Sequence, residues 1–142
     1  MPNSQKPADE YLLELFSPVA EEAGMTVVTR EKSPNFGDVA VTYSSDEIGI
    51  RLIADRDRYF AEIRPSRGEM EWFDLSLLQM LLTGTDTLDG VTIESQVHFL
   101  REHITEVKTA LGQERWPVTR RQLQALERRR SSRRFGPLSG SK

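Results

Sequence analysis

Two histidines, 22 acidic residues and no cysteine bound the acid–base and metal chemistry open to this chain. These types gather at a chemically meaningful spacing in residues 94–103, where Glu94, His98 and Glu102 follow at four-residue intervals with His103 beside them. On a helix that interval stacks the side chains on one face. An imidazole between carboxylates can share a proton or ligate a divalent cation, so a hydrolase working through Glu94, His98 and Glu102 is one function class to carry forward. The alternative is a solvated helical flank with an ordinary charge pair. No third convergent ligand can be named, so neither a metal site nor a cofactor is expected. The 84–90 segment, GTDTLDG, lacks the Lys-Ser/Thr of a phosphate-binding loop, no serine sits in a G-x-S-x-G elbow, and there is no thiolate nucleophile. No catalytic residue is therefore assigned.

Two other groups suit binding better than catalysis. Asp55, Arg56, Asp57 and Arg58 are too charged to bury, and they separate two strand-like runs, which makes them a hairpin tip. Alternating charges there can pair with one another, or serve as a recognition loop with Trp72 as an aromatic anchor at the far end of the strand pair. Near the C-terminus, Arg128, Arg129, Arg130, Arg133 and Arg134 suit contact with phosphates. Phe135 alone does not supply the interleaved aromatics of a single-strand stacking platform.

The elements that must position these groups follow from periodicity. Ile48, Ile50 and Leu52 alternate with Gly49, Arg51 and Ile53, and Tyr59, Ala61 and Ile63 alternate with Phe60, Glu62 and Arg64 until Pro65 ends the ladder. Val39, Val41 and Tyr43 mark a strand before this hairpin, and residues 25–32 mark another, with Met25, Val27 and Thr29 on one face. Short connections make the set an antiparallel meander of about four strands. A first helix follows Pro7 and carries Leu12, Leu13, Leu15, Phe16 and Val19 as far as Gly24, with Pro18 expected to end or kink it. Asp74 is the expected N-cap of a helix bearing Leu75, Leu78, Leu81 and Leu82. Thr92 caps a single long helix whose stripe of Ile93, Val97, Leu100, Ile104, Val107 and Leu111 closes at Gly112 as its C′ residue. Thr119 with Gln122, and Val118 with Leu123, predict a short helix after the Trp116–Pro117 joint. From Arg128 onward, composition predicts disorder. The fold class is α+β, with helices packed on one face of the sheet.

At 142 residues, with 37% hydrophobic and 29% charged content, the chain suits one soluble domain able to bury its own core. Residues 1–112 carry 10 basic against 20 acidic residues, a net −10, whereas residues 113–142 carry 9 against 2, a net +7. The expected organisation is an acidic α+β domain over 1–112 and a basic arm over 113–142. The acidic body favours a basic partner through its long-range field, and the arm favours nucleic acid. No stretch is apolar enough for a signal peptide or a membrane span, and lack of cysteine suits a reducing compartment, so a cytoplasmic location without membrane attachment is expected.

The order of helix, strand meander and helices, together with ADRDRYFAEIRP at 54–65 and EWFDLSLLQMLLTG at 71–84, resembles small bacterial immunity-like proteins that accompany secreted toxins. The resemblance spans about residues 10–112, and the basic arm lies outside it. It implies a non-enzymatic cytoplasmic protein that binds and neutralises a partner protein, with Asp55, Arg56, Asp57, Arg58 and Trp72 as candidate contacts. A nucleic-acid-associated regulator acting through the arginine arm is the alternative from another class.

Overall fold

The computed structural model describes residues 7–32, 38–56, 58–85 and 91–135, with side chains as far as Ser131. Asp57, most of the 84–90 loop, the side chains of Arg133 and Arg134 and the chain past Phe135 therefore lie outside the described residues. The chain runs α1 (Ala8–Ala23), β1 (Thr26–Lys32), β2 (Val39–Ser44), β3 (Ile48–Asp55), β4 (Arg58–Pro65), β5 (Phe73–Asp74), α2 (Leu75–Thr83), α3 (Ile93–Glu102), α4 (Ile104–Ala110) and α5 (Trp116–Phe135). The strands form one antiparallel sheet in the order β1-β2-β3-β4-β5, a meander with one more strand than expected because Phe73 and Asp74 pair with Ile63 and Glu62.

Period-2 alternation decides which face is buried. Ile50 lies opposite Ile63 and Leu52 opposite Ala61, all buried, and Val41, Tyr43, Ile48 and Phe73 join them on the core side. Helices cover this face: α1 lies over β1 to β3, α3 and α2 lie over β4, and α5 packs on α2. Phe16 of α1 meets Tyr43 with ring centroids 4.6 Å apart. Asp74 caps α2 as expected, its Oδ1 accepting from the Ser76 N–H at 2.9 Å. Because β5 is only two residues long, no strand of the described residues pairs with the rest of β4's outer edge. Buried Gln96 of α3 meets that need: its Oε1 accepts from the Ala61 N–H at 3.1 Å.

Several expectations are corrected. Helix α1 runs through Pro18, because Pro18 and Glu14, whose carbonyl a residue-18 N–H would have used, are both exposed. The lost bond falls on the wet side while Phe16, Val19, Ala20 and Ala23 stay in the core. Met25, Val27 and Thr29 do not share one face of β1: Met25 precedes the strand and a register shift lies between Val27 and Thr29, while Val27 and Val28 are 43% and 58% exposed. The long helix is two helices, broken at His103, where φ −121° and ψ 25° leave the helical range. Ile93, Val97 and Leu100 bury before the break and Val107 and Leu111 after it, while Ile104 at the restart is only partly covered. A strict 4-3-4 stripe drifts around a straight helix, and the break resets it. Gly112 has no left-handed φ; a β-carbon there would sit 3.2 Å from the Thr109 carbonyl, so room is what glycine supplies.

The last helix begins at Trp116, not after Thr119, and continues to Phe135 through the stretch for which composition predicts disorder. The Trp116 N–H donates to the Gly112 carbonyl at 2.8 Å, and Pro117 sits in the first turn, where no helical N–H bond is lost. Thr119, the expected cap, is inside the helix and 1% exposed. Leu123 is fully buried in the same core as the sheet, Leu126 packs beside it, and Trp116 sets its ring edge-on to Phe73 at 5.6 Å. Tertiary contacts thus offset the ordering entropy that composition alone could not.

Two substitutions test this packing by chemical denaturation. Leu123→Ala should destabilise the whole domain by about 2–5 kcal/mol, the usual cost of such a core cavity, and a change under about 0.5 kcal/mol would show that α5 is not part of the core. Gln96→Leu should cost about 1–3 kcal/mol, because the Ala61 N–H is left buried without an acceptor.

Candidate functional site

The face of the sheet opposite the helices has no second layer among the described residues. Alternation puts Thr42 and Ala40 of β2, Gly49, Arg51 and Ile53 of β3, and Phe60, Glu62 and Arg64 of β4 on it. Trp72, arriving from the 66–72 turn, lies across Gly49, where a β-carbon would stand 3.5 Å from the indole. The Arg64 and Arg51 guanidinium carbons are 4.1 and 4.6 Å from the indole centroid, and that of Arg58 is 5.7 Å from the Phe60 ring. Each such contact contributes about 0.5–1 kcal/mol when exposed and more when dry. The arginines are themselves held: Arg51 donates Nε to Glu62 Oε1 at 2.8 Å, and Arg64 Nη1 donates to the Met70 carbonyl at 2.8 Å. The result is a fixed, half-buried lattice of aromatic and guanidinium planes.

Glu62 and Asp74 sit opposite each other across β4 and β5, two carboxylates that would repel if left alone. Each has its own arginine, Arg51 for Glu62 and Arg130 of α5 for Asp74, the latter at 2.8 Å. A second clamp holds the front of α5. Glu69 Oε1 accepts from Trp116 Nε1 at 3.0 Å and from Arg120 Nε at 2.8 Å, its Oε2 accepts from the Glu71 N–H at 3.0 Å, and Arg120 also reaches Glu71 at 3.2 Å. Burial by itself raises the pKa of Glu69, but the bonds from the Glu71 amide, Trp116 and Arg120 outweigh it and hold the carboxyl below its ordinary value. At the other end of the sheet, buried Asp9 of α1 receives Arg30 at 2.5 Å and Lys32 at 3.7 Å, tying edge strand β1 to the helix layer. The Arg30 hydrogen bond is the chief cause of Asp9's lowered pKa.

The residues expected from sequence fall in three places. Asp55 and Arg58 form the last register pair of the β3–β4 hairpin, and Arg56 between them has a left-handed φ of 60° and donates its N–H to Asp38 Oδ1 at 3.1 Å. Trp72, over Gly49, is six residues of strand from Asp55, about 20 Å at 3.4 Å per residue, so tip and tryptophan are separate places on one face. On α5, Arg128 and Arg129 are exposed while Arg130 is committed to Asp74.

Glu94, His98 and Glu102 do share the exposed side of α3. Glu94, however, accepts the Tyr11 hydroxyl, a bond that with burial pushes the Tyr11 pKa up to about 12. Tyr11 in turn stacks on Tyr59 at 5.6 Å. His103 pairs with Glu106 at 2.7 Å. Among the described residues no group of three His, Asp or Glu side chains could hold a metal ion, and no helix is long and apolar enough to cross a membrane.

Arg51, Glu62, Arg64 and Glu69 were not singled out by sequence reasoning. The first three had a signal: with Asp55 opposite Arg58, Arg51 must fall opposite Glu62 and Gly49 opposite Arg64. Glu69 had none, because its partners are 47 and 51 residues away. Comparisons with protein-family models, curated proteins and solved structures find no match to this chain.

The Glu69 clamp sets a pH dependence. A carboxyl whose folded pKa is depressed contributes stability that is present above its unfolded value and is lost as pH falls through the folded one. Thermal melts from about pH 7 to about pH 3 should therefore show wild type losing more stability on acidification than Glu69→Gln does; parallel curves would show that the clamp contributes nothing.

Proposed function

We propose that this chain is a non-enzymatic protein-binding module that engages its partner across the open face of the sheet, in keeping with the immunity-type role implied by the resemblance. One observation carries it: an antiparallel face, uncovered among the described residues, on which Trp72 is seated over Gly49 between Arg51 and Arg64. Tryptophan and arginine are enriched among residues whose truncation costs most at protein interfaces. Here stacking and the bonds to Glu62 and Met70 already fix their conformations, so little side-chain entropy is left to lose on association. Ile53 and Phe60 extend the apolar part of the surface, and the Asp55–Arg58 tip bounds it.

Charge on this face selects the partner. The charges laid against the Phe60 and Trp72 rings are those of Arg51, Arg58 and Arg64, with Glu62 held by Arg51, so the complementary surface is one rich in carboxylates. The basic partner expected from the net charge of residues 1–112 rests on the averaged field of the body, whereas contact depends on the charges at the patch itself.

Affinity capture from the cell of origin, followed by titration of the captured protein, tests the proposal. Wild type should retain a stoichiometric protein that Trp72→Ala weakens by about 2 kcal/mol or more, roughly 30-fold. Arg58→Gln, at an exposed position, should weaken the same complex while lowering stability by no more than about 0.5–1 kcal/mol, the contribution of its contact with Phe60. A partner bound equally well by both variants would sink the proposal.

A further inference from the structure

We infer that the outward face of α5 is a second, separate site, one that takes the phosphate backbone of double-stranded nucleic acid. The helix spans Trp116–Phe135 and contains seven arginines against one acid, Glu127. Structure sorts the arginines into two roles. Arg120 and Arg130 point to the body, where they bond Glu69, Glu71 and Asp74. Arg121, Arg128 and Arg129 are exposed. Arg121 and Arg128 are seven residues apart, two turns along one side of the helix, and Arg129 adjoins them, giving a cationic strip about 12 Å long at 1.5 Å rise per residue.

The acidic body does not cancel this strip. The body carboxylates that α5 engages, those of Glu69, Glu71 and Asp74, already face Arg120 and Arg130, so their field outside the helix is largely offset. A helix held rigidly by Trp116, Thr119 and Leu123 presents its charges without an ordering cost on binding. An anionic membrane is a poorer fit, because a helix that lies on lipid inserts its apolar face, and here that face is docked on α2. This site does not depend on the sheet-face proposal: it uses a different element and different residues.

Fluorescence anisotropy of the full chain with a labelled mixed-sequence DNA duplex of about 20 base pairs tests the inference, at a length well beyond the strip. Three arginine contacts predict a salt slope of about −2.7, so affinity should fall roughly 40-fold between about 50 and 200 mM salt. The variant R121Q/R128Q/R129Q should melt as wild type does, bind the duplex at least about tenfold more weakly at low salt, and show a slope shallower by about 2.7. Trp72→Ala should leave duplex binding unchanged, which separates this site from the sheet face. Absence of binding at low salt, binding insensitive to salt, a triple variant equal to wild type, or loss of binding in Trp72→Ala would each overturn it. Tighter binding of phosphatidylserine vesicles than of duplex through the same three arginines would overturn it in favour of a lipid surface.

Discussion

A single sheet that, among the described residues, is covered on one face only is the constraint from which the rest of this structure follows. The β3–β4 hairpin places Ile48, Ile50, Leu52, Ala61 and Ile63 under the helices, and by the same alternation it commits Arg51, Ile53, Phe60, Glu62 and Arg64 to the other side. A face of that kind must satisfy its own polar groups and shield its own aromatics. It does so by laying guanidinium groups over Trp72 and Phe60 and pairing Arg51 with Glu62. The same need for closure appears at the edges, where Gln96 serves the free stretch of β4 and Arg30 and Lys32 fold from β1 onto Asp9.

Electrostatics binds the acidic body to its basic C-terminal segment. Glu69, Glu71 and Asp74 occupy the short path from β4 to α2, and Arg120 and Arg130 of α5 neutralise them. The opposite net charges of residues 1–112 and 113–142 therefore include an attraction used in folding. The apolar part of the junction, with Trp116 against Phe73 and Leu123 wholly buried, accounts for why α5 stays against α2 when few of its residues are apolar. Arg121, Arg128 and Arg129, not consumed in that junction, are exposed, so the described arginines of one helix divide between the junction and the solvent-facing side.

Two surfaces follow, with different physics. The open sheet face is rigid, aromatic and locally cationic, which suits a desolvated protein contact with a few dominant side chains. The α5 strip of Arg121, Arg128 and Arg129 is exposed and polar, which suits a salt-sensitive contact with a polyanion. The row of Glu94, His98 and Glu102, chemically the most suggestive spacing in the chain, has its first carboxylate engaged by Tyr11, and that bond joins α1 to α3 across the helix layer.

What the sequence by itself determined is whatever depends on near neighbours along the chain. Period-2 alternation at 48–64 set the hairpin, its buried face and its register, and the short polar side chains of Asp74 and Thr92 marked two helix starts, because strand pleat and N-capping are local geometry. Tertiary structure decided the rest. Pro18 is tolerated because core contacts on the far side of α1 continue past it, Val27 and Val28 are exposed because β1 is an edge, and α5 begins at Trp116 because Phe73 and Glu69 wait there. The candidate site shares this division: that Trp72, Arg51 and Arg64 lie on one face follows from alternation and register, but their stacking over Gly49, and the choice of Asp74 for Arg130, join residues that only packing of the layers brings together. Ion pairs between residues 50 or more apart leave no periodic trace in a sequence, since any of the 22 carboxylates could have met any arginine until the fold fixed the distances.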